Sequence, residues 1–325
     1  MDRIAILTSG GDCQGMNACI SAMVRTCLSF GITPIGVRRG YQGLIDNDMV
    51  ELTADMVEFI AGIGGTILKT SRSAEFRTPE GVDKAVENLK KNRIDGLIIV
   101  GGDGSYRGSL ELVKRGIKIV DIPGTIDNDL NYTEKTLGFD TAVNNAVNAV
   151  SSMMETLIAN NRGVVIKVMG RSCGDIALYT ALALNAHTIA IRETNTTLDD
   201  IVKDVATVLK NGEKCPIVIM NEYMDFSIQD VQDAIAKVSD IETRGIELGY
   251  IQRGGSPSVL DRIYATQFGI SAVTSLREGS YNIALGVDSD NVFAVPVEDA
   301  IGAKQNFQYN LYIQLRNLHN LDNKI

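Results

Sequence analysis

Asp127 and Asp129 stand two residues apart in Pro123-Gly-Thr-Ile-Asp-Asn-Asp129. On an extended turn that spacing lets both carboxylates face one cleft. Two acids beside a magnesium–phosphate site suit phosphoryl transfer, one as base toward an attacking hydroxyl and one near the metal. Taken alone, the segment reads better as an Asx-rich turn capping a helix. Its place, one strand after a second acidic loop, shifts the weight toward chemistry. That loop is Leu97-Ile-Ile-Val-Gly-Gly-Asp-Gly-Ser105, an apolar run that ends in glycines and opens a helical pattern. Backbone N–H groups at such a helix start form an anion site. Asp103 among them calls for a neutralising cation, and a Mg²⁺ bridging carboxylate and phosphate oxygens supplies it. A competing reading stays open. Gly102-x-Gly104-x-x-x-Gly108, followed by Asp121 on the next strand, approximates a dinucleotide fingerprint and would suit a nicotinamide-dependent oxidoreductase. No GxxxxGK[ST] motif occurs, so a P-loop kinase is excluded.

Arg72, Arg162, Arg171, Arg244 and Arg253 fall near expected loops. Most surface arginines are simply solvated. Arg171 in Met169-Gly-Arg-Ser-Cys-Gly-Asp175 and Arg253 in Gly249-Tyr-Ile-Gln-Arg-Gly-Gly-Ser256 lie beside glycines at expected strand ends, where a guanidinium grips phosphate bidentately. Glu222 ends a strand and is either an acceptor for sugar hydroxyls or a solvated acid. His187 and His319 show no partner pattern and read as structural. Cys13 has no base nearby to activate it as a nucleophile.

The elements that must position these groups are short apolar runs alternating with helical patterns. Ile4–Leu7, Leu97–Val100, Ile117–Ile122, Val164–Met169 and Ile217–Met220 read as strands buried on both faces. Gly81–Ile94, Ser105–Arg115, Thr141–Ala159, Thr197–Leu209 and Ser227–Val238 read as helices, with start signals at Pro79 and at Ser227 with Asp230. Such alternation predicts an α/β protein with a mostly parallel sheet covered by helices. The 325 residues suggest two domains at roughly 100–200 residues each. No linker of distinctive composition marks the boundary. With 45% hydrophobic and 22% charged residues the chain can bury a large core.

The formal charge of −9 argues against non-specific nucleic-acid binding, which needs a basic face. It leaves room for a small anionic substrate in a locally basic cleft. Five cysteines without CxxC spacing predict neither a disulfide framework nor a zinc site, and favour a reducing compartment. No signal-peptide pattern opens the sequence, and no apolar run approaches the roughly 18–20 residues that span a bilayer. A cytoplasmic, soluble protein is expected.

Taken together, Thr8-Ser-Gly-Gly-Asp12, Gly15-Met-Asn17, Gly101-Gly-Asp-Gly-Ser105, Pro123–Asp129, Met169-Gly-Arg171 and Gln252-Arg-Gly-Gly-Ser-Pro257 resemble the bacterial ATP-dependent 6-phosphofructokinase family across the whole chain. The resemblance implies two doubly wound, mostly parallel-sheet domains with the active site in the cleft between them. The ATP-binding domain would take residues 1–138 plus about 255–303. The sugar-binding domain would take 139–254 plus about 304–325. It implies Mg²⁺-dependent phosphoryl transfer from ATP to the 1-hydroxyl of fructose 6-phosphate, with a kinase for another phosphosugar as the nearest alternative.

In that reading Asp127 takes the hydroxyl proton, with Thr125, Asp129 and Arg171 completing the catalytic set, and Asp103 holds Mg²⁺. Gly11, Tyr41, Arg72, Ser73, Gly102, Gly104, Ser105 and Gly108 match nucleotide-contacting positions. Thr125, Met169, Gly170, Arg171 and Glu222 match sugar-binding positions. Tyr250 stands where the family has a histidine that touches the sugar phosphate. Arg162 and Arg244 match arginines that reach across a subunit interface to the 6-phosphate, which Arg253 grips from its own subunit. A homotetramer with shared active sites follows. Pyrophosphate-using relatives carry an acid at position 104 and a lysine at position 124, so glycine at both resembles the ATP users. At the family's intersubunit effector site, Arg25 is kept. Ser21, Ala54 and Met154 replace arginines there, Asn211 and Glu213 replace lysines, and His187 replaces a metal-holding glutamate.

Overall fold

The computed structural model describes residues 1–304 and 307–322. The domain range about 304–325 anticipated above therefore lies partly outside the described residues. The first elements are β1 (Arg3–Thr8), α1 (Met16–Ser29), β2 (Thr33–Val37), α2 (Gly40–Asp46), β3 (Met49–Glu51), α3 (Pro79–Lys91), β4 (Gly96–Gly101), α4 (Asp103–Val113) and β5 (Ile119–Pro123). Next come α5 (Phe139–Ala159), β6 (Gly163–Val168), α6 (Asp175–Ala183), β7 (Thr188–Ala190), α7 (Leu198–Lys210), β8 (Ile217–Asn221), α8 (Ile228–Ala236) and β9 (Thr243–Glu247). The last are α9 (Val259–Glu278), β10 (Ile283–Asp288), β11 (Asn291–Pro296), α10 (Val297–Gly302) and α11 (Tyr309–Leu318).

These elements group into two compact units. The first takes Met1–Ile126, Leu130–Thr141 and Arg253–Gln305, and the second Asp127–Asp129, Ala142–Gln252 and Asn306–Ile325. The final stretch of the first unit is described to Lys304, and that of the second from Phe307 to Asp322.

The first unit holds a seven-stranded sheet in the order β11-β10-β5-β4-β1-β2-β3. Its interior strands pair in parallel, and β3 and β11 close the two edges antiparallel. β1 and β4 read as unbroken apolar runs because helices cover both faces. Ala5, Leu7, Leu97 and Ile99 pack with Val82, Ala85 and Leu89 of α3 and Leu112 of α4 in one buried cluster. On the other face α1 and α9 approach so closely that a Cβ on Gly269 would sit 2.7 Å from the Ala22 Cβ. α3 starts where Thr78 caps the Gly81 N–H at 3.1 Å, with Pro79 in the first helical position.

The second unit holds a four-stranded parallel sheet, β7-β8-β6-β9. Val165, Ala190, Val218 and Met220 pack against Ile201 and Val205 of α7 and Val231 and Ile235 of α8. Both covering helices begin with reciprocal caps, Thr197 with Asp200 and Ser227 with Asp230.

One buried acid ties the first unit's late return to its earlier chain. Asp261 Oδ1 accepts the Gly138 N–H at 2.8 Å, and Oδ2 accepts the Thr141 N–H at 2.9 Å and the Thr141 hydroxyl. Burial outweighs these bonds and pushes the Asp261 carboxyl up to about 6. The folded state thus holds its proton more tightly than the unfolded chain. This group's stabilisation is full below about pH 4 and fades as pH rises through about 6. Asp261→Asn leaves the Thr141 N–H facing an amide NH₂ and is expected to cost about 1–3 kcal/mol at neutral pH. Denaturant titrations should show a gap to wild type that narrows as pH rises from about 4 to 7; an unchanged midpoint at every pH contradicts the assignment.

Candidate active site

In the first unit the chain leaves β1 toward β2 on one side and later returns to build β4 and β5 on the other. Ligands of open α/β sheets bind outside the strands' carboxyl ends at such a switch point. There β1 runs into Ser9-Gly-Gly-Asp12 and β4 into Gly102-Asp-Gly-Ser105. The Ser9 N–H donates to Val100 O at 2.9 Å, which fastens the two loops together.

Asp103 is the first residue of α4, and its half-exposed carboxylate accepts Arg107 Nε–H at 2.9 Å. Beside it, a Cβ built on Gly104 meets nothing within 4 Å, so the fold leaves open space over that residue. Gly124 differs. Its Cβ would lie 2.8 Å from Val100 Cγ1 and 3.3 Å from Met16 Cε, so a side chain there would force its neighbours to shift. Packing thus bears on glycine at 124, whereas nothing in the fold requires it at 104.

The residues expected on the nucleotide side divide by exposure. Tyr41 is buried, stacks on Phe76 at 4.0 Å between centroids, and donates its hydroxyl to Ser105 O. A Cβ on Gly108 would reach its ring at 2.8 Å. Tyr41 and Gly108 thus brace the first turns of α4 from beneath. Ser73 donates to Gln42 Oε1 at 2.7 Å and accepts the Phe76 N–H, while Arg72 is exposed. Gly102 touches Thr125, its Cβ position lying 3.5 Å from Thr125 Cβ. Gly11 lies under the Arg253 guanidinium, which donates to Asp12 O at 3.0 Å and Asp12 Oδ1 at 2.9 Å.

Asp121 corrects the dinucleotide reading. It is fully buried in the middle of β5, where Ser109 Oγ donates to it at 2.6 Å, and desolvation pushes its carboxyl well up. A ribose-binding acid must face the ligand at a strand end; Asp121 faces the core.

In the second unit, β6 runs into Met169-Gly170-Arg171. Gly170 takes φ +130°, and a Cβ there would lie 2.6 Å from Cys173 O. Arg171 itself is left-handed at φ 52°, a strained place for a long side chain. Glu222, just past β8, holds that turn by accepting the Arg171 N–H at 2.8 Å. The Arg171 side chain then meets Asp127, its Nε 3.3 Å from Asp127 Oδ2. Asp127 is 6% exposed. Its neighbour Asn128, at φ 53°, donates to Asp175 Oδ2 at 2.7 Å and fixes the turn. Asp129 belongs to the same three-residue stretch of this unit.

The carboxyl ends of β6, β8 and β9 enclose a cavity of about 210 Å³ lined by Lys167, Met169, Glu222, Glu247, Gly249 and Tyr250 among others. Tyr250 is 81% exposed. Arg162 and Arg244 stand on either side of one carboxylate: Arg162 Nε and Arg244 Nη2 each lie 2.6 Å from a different oxygen of Glu242.

His187 and His319 do have partners. Their rings lie 4.7 Å apart, and His187 Nε2 lies 3.6 Å from Glu213 Oε2. Burial, then His319, pulls the His187 pKa down. Burial pushes the Cys13 thiol well up, away from nucleophilic use. Sequence reasoning missed Glu242 and Asp12, which hold the candidate arginines. The short spacing of Glu242 to Arg244 was a signal for the first, whereas nothing local points from Asp12 to Arg253.

The family model described as Phosphofructokinase matches residues 3–276. The chain belongs to the phosphofructokinase family. It is 43% identical over 312 residues to the ATP-dependent 6-phosphofructokinase of Clostridium tetani, covering 96% of this chain and 98% of that one. It is 41% identical over 312 residues, with the same coverage, to the ATP-dependent 6-phosphofructokinase of Clostridioides difficile. Among solved structures, a phosphofructokinase from Saccharomyces cerevisiae aligns with TM-score 0.89 and 29% identity over 97% of this chain. This chain spans half of that yeast chain. A pyrophosphate-dependent phosphofructokinase from Marinobacter aquaeolei shares the fold at TM-score 0.82 and 18% identity, covering 95% of this chain and 86% of that one.

Proposed function

We propose that this chain transfers the terminal phosphoryl group of ATP to the 1-hydroxyl of fructose 6-phosphate, in glycolysis. The observation that carries the reading is Asp127, nearly buried, with the Arg171 guanidinium 3.3 Å away in a chain of this family. A carboxylate so held is oriented to take a hydroxyl proton, while the arginine meets negative charge that develops on the transferred group. The glycine loop at the start of α4 offers backbone N–H groups to the nucleotide phosphates. Thr125, Asp129, Met169, Gly170, Glu222, Tyr250 and Arg253 complete the proposed sites.

Among the described residues, no three His, Cys, Asp or Glu side chains cluster as a metal site. A lone carboxylate suits Mg²⁺, which binds through one or two carboxylates plus substrate phosphates. Asp103, half-exposed at the start of α4, fits that donor set, and the ion would neutralise phosphate charge. Among the described residues no helix is long and apolar enough to cross a membrane. A coupled assay with ATP, Mg²⁺ and a panel of phosphosugars tests the proposal. Turnover with fructose 6-phosphate is expected, and ADP formation with none of the panel overturns it.

The proposed homotetramer has shared sites. Mixing Asp127→Asn with Arg162→Ser subunits should restore about a quarter of wild-type activity if the interface is symmetric and exchange random. No recovery after verified exchange contradicts the sharing. The effector site is proposed to be weak. Ser21 is buried and donates to Val57 O at 3.0 Å, and Glu213 adds a negative charge beside His187. Losing three charge-assisted contacts weakens an anionic effector about a thousandfold if they add. Steady-state kinetics should show little activation by ADP; strong activation at micromolar ADP contradicts this.

A further inference from the structure

β6 is apolar except at one position. In Gly163-Val-Val-Ile-Lys-Val168 a lysine interrupts a strand with neighbours on both sides, Met220 of β8 and Glu247 of β9 standing in register with it. The Lys167 side chain is 23% exposed, so its stem is covered, while its ammonium lies 3.1 Å from Glu247 Oε2. Both residues line the 210 Å³ cavity at the carboxyl ends of the strands, together with Glu222 and Tyr250. Lys167 is the cationic side chain among the cavity's lining residues, against two carboxylates, Glu222 and Glu247. A strand core gains nothing from a charge that must be desolvated and paired. A cavity that receives an anion does.

We infer that Lys167 is a specificity-determining residue that draws the phosphosugar into this cavity, and that Glu247 both positions its ammonium and offsets part of its charge. The inference rests on the proposed phosphosugar reading and extends it to two residues outside the family motifs. The ammonium is a compact charge with rotatable donors, so it serves phosphate or hydroxyl oxygens without a fixed fork. With Lys167 removed, two carboxylates would face an incoming dianion. With Glu247 neutralised, Lys167 would act at full charge.

The two substitutions therefore have opposite signs. Lys167→Met, which keeps the stem, should raise KM for fructose 6-phosphate about tenfold, the change falling mainly on KM rather than kcat. Glu247→Gln should lower that KM about two- to threefold, and both effects should shrink as salt rises. KM for ATP serves as the internal control and should not follow either change. Circular dichroism and thermal melts establish folding, and if Lys167→Met fails to fold, the sign for Glu247→Gln decides. A raised KM in Glu247→Gln, or effects indifferent to salt, assigns the pair a structural role and overturns the inference. Wild-type protein that does not turn over any phosphosugar overturns the proposed function and this inference with it. Wild-type turnover with KM unmoved by either change overturns this inference alone.

Discussion

Asp127→Asn is expected to lower kcat by about 10²–10⁴-fold while leaving the fold and nucleotide binding in place. Asparagine keeps the shape that fits beside Arg171 and removes the proton acceptor. The bond from Asn128 to Asp175 that fixes the buried turn is untouched by the change. Loss of the carboxylate leaves the Arg171 guanidinium without its 3.3 Å counter-charge, which shifts sugar affinity little compared with the rate. Single-turnover kinetics with saturating ATP and fructose 6-phosphate measure the chemical step directly. A kcat within a few-fold of wild type removes Asp127 from the role of base.

Gly104→Asp is expected to abolish use of ATP, with kcat/KM for ATP falling by more than about a hundredfold, since like charges brought together cost several kcal/mol. Empty space lies over Gly104: a Cβ there meets no protein atom within 4 Å, and the backbone is not left-handed. The folded protein therefore accepts a side chain there at no steric cost. What the new carboxylate meets is the ligand, and thermal melts of the ligand-free variant should match wild type. Unchanged kinetics for ATP mean that the loop after β4 does not hold the nucleotide.

The strands that carry these groups were legible because parallel strands covered on both faces leave continuous apolar runs. β1, β4, β5, β6 and β8 all announce themselves this way, within one to two residues of their ends. β2 did not, because Thr33-Pro-Ile-Gly-Val37 is short and carries proline and glycine. The β10–β11 hairpin was hidden by its turn, in which Ser289 and Asp290 take positive φ without the glycine that marks such turns. α9 was hidden because its apolar residues do not keep to one stripe; Tyr264, Phe268 and Ala272 are buried while Val259, Ile263 and Ile270 are exposed.

At the site, the motifs gave Asp103, Asp127, Arg171 and Glu222 because each lies next to a strand end or glycine turn. The motifs were silent on what restrains them. The bridging of Arg162 by Glu242, and of Arg253 by Asp12, depends on chain segments meeting in space, whereas only Arg244 lies close to Glu242 in the chain. Asp121 misled because a strand-end acid and a mid-strand acid look alike until the strand's limits are known, and β5 continues to Pro123.

The closeness of Val100 to the Cβ position of Gly124 has a consequence for substitution. The two loop glycines do not accept side chains equally. Position 104 is open to mutation at once, but any side chain at 124 first collides with Val100 Cγ1. A side chain at 124 therefore needs Val100 to shift or shrink, and a smaller residue at position 100 opens a void where β4 pairs with β5. The two glycines are thus held by different constraints: nothing in the fold requires glycine at 104, whereas the packing of the fold itself bears on 124.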